Sequence, residues 1–257
     1  MNAPLLDARD VTVRFGGLIA VDAVSLAIPE REIRGLIGPN GAGKTTFFNA
    51  ISGLVPHGGA ALRFDGRDML HLPAHRRAAA GMRRTFQSVQ LVPQFTVLEN
   101  VLVGMHTGIA DNPAASVLGL PGGNRGELGA QRAVIEVLEF LGIGETLLQR
   151  VNQLTFAQQR YVEIARAIVG RPKLLMLDEP AAGLSPGDVK MLDALLRRLR
   201  DEWGMTILLV EHVLSLVLEI SDRVTVLDNG RMIAEGSPAE VADDPAVKTA
   251  YLGNENV

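Results

Sequence analysis

Polar and apolar residues alternate through Asp10-Val-Thr-Val-Arg-Phe15, and this period of two predicts a half-buried strand. Gly16-Gly17 reads as a turn, and Val21–Ile28 as the second strand. Arg34-Gly-Leu-Ile-Gly38 and Lys173–Asp178 are short apolar runs that read as buried strands, and Met205–Val210 and Arg223–Leu227 as further ones. A strand at Ala61–Phe64 ends in the turn pair Asp65-Gly66, and Asp228-Asn-Gly230 turns a hairpin into Arg231–Glu235. Helical spacing takes over between them. Phe47–Leu54 continues from a glycine-rich loop, and Tyr161, Ile164, Ala165 and Ile168 share one helical face. Ser185 caps a helix with Pro186 at its first position and an apolar stripe of Leu192, Leu195, Leu196 and Leu199. Strands alternating with helices imply an α/β fold with a mainly parallel sheet, and antiparallel strands added at the start.

The middle of the chain departs from this rhythm. Thr96-Val-Leu-Glu99 has capping-box spacing and opens a helix over Val97–His106; a strand precedes it at Arg83–Phe86. Thr107–Gly126, rich in Gly, Pro and Asn, reads as a loop, and Glu127–Leu141 as helix again. We expect one domain over 1–257, with a helical subdomain inserted at 88–160 and a C-terminal extension at 237–257. The 257 residues, 47% hydrophobic and 21% charged, suffice for one core with such a lobe. No stretch reaches the roughly 18 apolar residues of a spanning helix, and Met1–Asp10 does not read as a signal peptide. The absence of cysteine excludes a disulfide scaffold, a thiolate metal site and a cysteine nucleophile. With 25 basic against 29 acidic residues, a nucleic-acid partner is not expected.

Two segments carry chemistry. Gly38-Pro-Asn-Gly-Ala-Gly-Lys44-Thr45 fits G-x-x-x-x-G-K-[ST] and lies between a predicted strand and a predicted helix. Its glycines let the backbone aim N–H groups at phosphate oxygens, and the helix N-terminus adds partial positive charge. Lys44 would sit on the β and γ phosphates, and the Thr45 hydroxyl would help hold Mg²⁺. Asp178-Glu179 ends a buried strand, at the edge where α/β sheets bind ligands. Asp178 would reach the Mg²⁺, and Glu179 would deprotonate the water that attacks the γ-phosphate. A glycine turn or an acidic pair alone is commonplace; their coupling is what points to nucleotide hydrolysis.

Leu154-Thr-Phe-Ala-Gln158-Gln-Arg160, ahead of the Asp178 strand, resembles the signature motif of ABC transporter ATPases. Gln87 looks like the Q-loop residue, His212 like the switch histidine, and Phe15 like the aromatic that stacks on adenine. Within that family the chain resembles branched-chain amino acid importer ATPases of the LivG type, through Arg14–Leu18, Arg84–Gln87, Thr96–Asn100, Leu177–Leu184 and the tail Ala250–Gly253. The resemblance implies a RecA-like P-loop NTPase with ATP and Mg²⁺ as cofactors. It assigns the nucleotide to Phe15, Gly38, Asn40, Gly41, Ala42, Gly43, Lys44, Thr45 and Thr46, with Thr155, Ala157 and Gln158 reaching the nucleotide of a partner cassette. The metal falls to Thr45, Gln87 and Asp178, and catalysis to Glu179, His212 and Gln87. Implied partners are a homologous ATPase subunit (a second copy or a different chain), transmembrane permease subunits and, indirectly, a periplasmic or surface solute-binding protein. The implied location is peripheral, on the cytoplasmic face of the inner or plasma membrane. Two positions depart from the pattern: Ala157 stands at the second signature glycine, and Ser185 at the aspartate of the D-loop. Alternative readings are the ATPase of a urea or amide importer or a lipid exporter, a soluble ABC-type ATPase, and a binding module whose hydrolysis has degenerated.

Overall fold

The computed structural model of the chain describes residues 3–105, 123–212 and 214–252. Two sheets organise it. β1 (Leu6–Phe15) pairs antiparallel with β2 (Leu18–Ile28) and, on its other side, with β4 (Ala61–Phe64), beyond which lies β5 (Arg67–Asp68). The larger sheet has six strands in the order β10-β9-β3-β8-β7-β6. Its members are β3 (Ile33–Ile37), β6 (Met82–Arg84), β7 (Leu174–Asp178), β8 (Thr206–Val210), β9 (Arg223–Asp228) and β10 (Arg231–Gly236). Every pairing is parallel except β9 with β10, which the turn at Asn229-Gly230 joins as a hairpin.

Every residue of β3, β7 and β8 is buried, which explains why their sequences are apolar apart from Arg34, Asp178 and Thr206. Pleating still sorts their side chains. Leu174 and Met176 join a core with α1 (Lys44–Ser52) and the antiparallel sheet, while Leu175 and Leu177 join the core on the opposite face. α1 is thus the layer between the two sheets, with Phe47, Phe48, Ala50 and Ile51 wholly buried. It starts at Lys44, three residues before the helix expected from the pattern, because Gly43 in the left-handed region already ends the loop. It stops at Ser52, where Gly53 takes φ 81°. Arg77, on α2 (Ala74–Ala79), donates to the carbonyls of Ala50 and Ile51 at that end.

Between β6 and β7 the chain is helical in α3 (Val97–Leu102), α4 (Gly123–Phe140) and α5 (Phe156–Ile168). Thr96 and Glu99 close the expected capping box, but α3 gives way to a 3₁₀ turn at Val103–Met105; His106 lies outside the described residues. Most of the expected loop, residues 107–122, is outside them too, and Gly123–Gly126 belong to α4 rather than to a loop. The strand expected over Arg83–Phe86 spans only Met82–Arg84. α6 (Pro186–Trp203) is capped by Ser185, and its four-leucine stripe is buried. α7 (Leu214–Ile220), α8 (Pro238–Asp243) and α9 (Pro245–Leu252) complete the chain. No helix among the described residues is long and apolar enough to cross a membrane.

Candidate functional site

The loop between β3 and α1 can only be built with glycine at two places. Gly38 has φ 150°, and a Cβ there would stand 2.0 Å from the Leu227 carbonyl oxygen. Gly43 has φ 95°, and a Cβ there would stand 2.6 Å from the Ala20 carbonyl oxygen. The loop is pinned from the side as well: Gly230 N donates to Ala42 O, and Asp22 N to Gly230 O. It therefore presents Asn40–Thr46 along a cleft of about 360 Å³ whose wall continues through Leu18, Ile19, Ala20, Asn229, Gly230 and Glu179. The Lys44 ammonium folds over the loop and donates to Gly38 O at 2.7 Å and Pro39 O at 3.0 Å. Burial pushes its pKa below the usual lysine value, and Glu179 pulls it back.

The carboxyl ends of β7 and β8 supply the acids, and that of β6 supplies Arg84 and Gln87. Asp178 is buried; its N–H donates to Thr85 Oγ1, and its carboxylate meets Arg84 Nη2 at 3.4 Å. Arg84 is itself held between the Phe48 and Phe86 rings and donates to Asn49 Oδ1 and Ser52 Oγ on α1. Burial pushes the Asp178 carboxyl up, and Arg84 opposes that. Glu179 follows with φ 47°, a conformation that costs a non-glycine residue about 1–3 kcal/mol and recurs at working sites. Its N–H donates to Val210 O. Its Oε2 accepts from Gln87 Nε2 at 3.0 Å and lies 3.9 Å from His212 Nδ1. Behind them Glu211, with no exposed surface, accepts from Ala181 N through Oε1 and from His212 N through Oε2. Burial pushes Glu211 up against the pull of both N–H groups.

The structure thus gathers the loop, Glu179, Gln87 and His212 at one sheet edge, with Asp178 just beneath. It does not bring every expected residue there. Phe15, 52% exposed, ends β1 opposite Leu18 and does not line the cleft; Leu18, Ile19 and Ala20 do. Thr155, Ala157 and Gln158 open α5 and are absent from the cleft wall. There the Thr155 hydroxyl accepts from Gln158 N while the Gln158 side chain accepts from Thr155 N, so the cap is closed. Arg84 and Glu211 went unread in the sequence as site residues, and so did Asn229 and Gly230, whose Asp-Asn-Gly pattern signalled only a turn.

The donor set suits Mg²⁺: Thr45 offers an exposed hydroxyl, Asp178 a carboxylate and Gln87 an amide oxygen, all hard ligands. Among the described residues no cluster of three or more His, Cys, Asp or Glu could hold a metal without help.

Residues 21–182 match the ABC transporter family, and residues 231–256 match the branched-chain amino acid ATP-binding cassette transporter family. The high-affinity branched-chain amino acid transport ATP-binding protein BraF of Pseudomonas aeruginosa is 42% identical over 253 residues, 98% of this chain and 99% of that protein. LivG of Escherichia coli, of the same description, is 41% identical with the same coverage. Among solved structures, the ADP conformation of an ATP-binding cassette of an ABC transporter superposes with TM-score 0.85 at 30% identity, covering 98% of this chain and all of that one. A nucleotide-free ATP-binding cassette superposes with TM-score 0.84, also at 30% identity, covering 96% and 98%.

Proposed function

The chain belongs to the ATP-binding cassettes of ABC transporters, and from that premise we propose that it powers import of branched-chain amino acids, with Glu179 as the base of its ATP hydrolysis. It is an ATP hydrolase, the energising subunit of an ABC importer. The observation that carries the residue assignment is the placement of the Glu179 carboxylate on the wall of the cleft that also holds Lys44.

On this reading the amides of Asn40–Thr46 and the Lys44 ammonium bind the β and γ phosphates, while Gly38 provides the bend that aims them. A magnesium ion on Thr45, Gln87 and Asp178 would neutralise charge developing on the phosphates. Glu179 takes a proton from the attacking water, and the Gln87 amide fixes which oxygen faces it. His212 borders the same carboxylate, with Nδ1 3.9 Å from it, and would face the γ-phosphate beside it. Phe15, exposed beside Leu18, lies free to stack on the base.

Thr155, Ala157 and Gln158 stand apart from this chain's own cleft, which supports a head-to-tail pair with a homologous cassette, each offering its α5 N-terminus to the other's triphosphate. Residues 88–160 act as the helical lobe of the single domain 1–257, and 237–257 as its extension. A groove of about 340 Å³, lined by Phe86, Gln90, Val103 and Arg166, lies between lobe and sheet and suits a permease segment. The permease carries the chain on the cytoplasmic membrane face and connects it to a solute-binding protein outside.

Glu179→Gln tests the assignment. The variant is expected to bind MgATP with affinity within about threefold of wild type and to lose about 10²-fold or more in turnover, and a strain carrying only this variant should fail to accumulate radiolabelled leucine. Turnover within a few-fold of wild type would remove Glu179 as the base.

A further inference from the structure

We propose that Arg160 and Glu163 are positioning residues that make the Gln87 segment move as one body with α5, so that seating the N-terminus of α5 sets the hydrogen bond between Gln87 and Glu179. This rests on the reading of Gln87 and Glu179 given above.

β6 ends at Arg84, and the last backbone bond it shares with β7 runs from Thr85 N to Met176 O. Past that point Phe86 and Gln87 take their backbone partners from α5. Phe86 N donates to Glu163 Oε1, Arg160 Nη1 donates to Phe86 O, and Arg160 Nη2 donates to Gln87 O. The two side chains are joined to each other at 2.9 Å and are 2% and 1% exposed. Gln87 is therefore attached to the helix, while its side chain reaches Glu179 on the sheet.

A purely structural role explains this arrangement poorly. An ion pair one helical turn apart contributes a few tenths of a kcal/mol at a surface, and burying it removes both charges from water, so apolar residues would hold a core as well. Arg160 Nε is moreover buried with no partner, a cost that packing alone does not require. What the charged pair does that apolar side chains cannot is grip three backbone groups of an irregular segment. The same guanidinium stands 5.8 Å from the Phe156 ring, whose Cε1 would lie 3.1 Å from a Cβ built on Gly183. One turn of α5 thus touches the Gln87 segment and the loop after Glu179. Thr155–Gln158, the residues assigned to the partner cassette's triphosphate, open that same turn.

Arg160→Lys keeps the charge opposite Glu163 and loses the fork that spans Phe86 O and Gln87 O. Steady-state MgATP hydrolysis by the full chain should show kcat down about tenfold with KM within about twofold. Gln87→Ala should lower kcat too, and adding Arg160→Lys to it should cost less than a further twofold, because both changes act through one hydrogen bond. Glu163→Gln, which preserves shape, is the second variant, with the same loss confined to kcat. The proposal is overturned if kcat survives within twofold in the single variants, if KM rises in step with the loss, or if the Arg160 and Gln87 effects multiply. A wild-type chain that fails to hydrolyse MgATP would instead remove the reading on which the proposal rests.

Discussion

Removing the guanidinium of Arg84 should destabilise the protein by about 4 kcal/mol, about half of it through a residue 94 positions away. Arg84→Met keeps the apolar stem between Phe48 and Phe86 and deletes the charge. Asp178, 4% exposed at its side chain, then lacks its cation. Breaking a buried pair costs about 3–5 kcal/mol when one charge is left behind. The contact here is 3.4 Å and Arg84 is 12% exposed, so we take roughly 2 kcal/mol from the pair. The hydrogen bonds to Asn49 Oδ1 and Ser52 Oγ, at 2.7 and 2.8 Å, add about 1 kcal/mol each. Urea unfolding reads the difference directly, and for a chain of this size it corresponds to about 10 °C in Tm. The pH dependence identifies the cause. Burial already raises Asp178, and without Arg84 it rises further, so its proton is bound more tightly in the folded state than in the unfolded chain. The deficit must then be largest near neutrality and shrink as pH falls through the folded-state value. A loss under about 1 kcal/mol, or one that does not change with pH, would refute the reasoning.

On the proposed head-to-tail pairing, Ala157→Gly should raise turnover, because a methyl group at the second signature glycine would crowd the backbone facing the partner's phosphate; an unchanged or reduced steady-state rate would count against it. Glu211→Gln should flatten the dependence of unfolding free energy on pH. Burial raises Glu211 above its ordinary 4.5, so the stability it contributes is present below that value and lost as pH rises through the folded pKa. The variant should lack this decline in a urea series from pH 4 upward, and an identical slope would show that the group does not titrate in folding.

What could be read in the sequence was whatever lay contiguous in it. The phosphate loop, Asp178-Glu179 and the caps at Thr96 and Ser185 each fit within a few residues, and each stands where its local pattern puts it. β1 was legible only from Asp10 onward. Asp10 itself has φ 52°, and the register shifts between Ala8 and Val11, so the alternation changes phase and Leu6–Arg9 lose the pattern that would announce them. Arg84 and Glu211 escaped for another reason. Their meaning depends on β6, β7 and β8 lying side by side, and no local period encodes that order. Gln87 and His212 were named by resemblance, and the structure supplies a physical reason in the single carboxylate both approach.

Buried charge is not by itself a mark of function here. Arg34, 1% exposed, donates to Glu32, to the Thr225 hydroxyl and to Ala27 O, and so staples β2 to the strands of the large sheet, away from the cleft. The groups at the carboxyl edge differ in what they hold. Arg84 faces Asp178, Arg160 and Glu163 grip the backbone at Phe86 and Gln87, and Glu211 receives Ala181 N and His212 N. The first joins the last residues of two strands, and the others anchor loops just past a strand end, where the ladder no longer supplies partners. Apolar packing is non-directional and could not register such backbone to within the few tenths of an ångström a proton transfer needs. Hydrogen bonds from charged groups can, and their strength depends on the angle and distance at which each segment sits. The edge is thereby geometrically defined and still able to shift when α5 is pulled, and a core of leucines at the same positions would supply neither property.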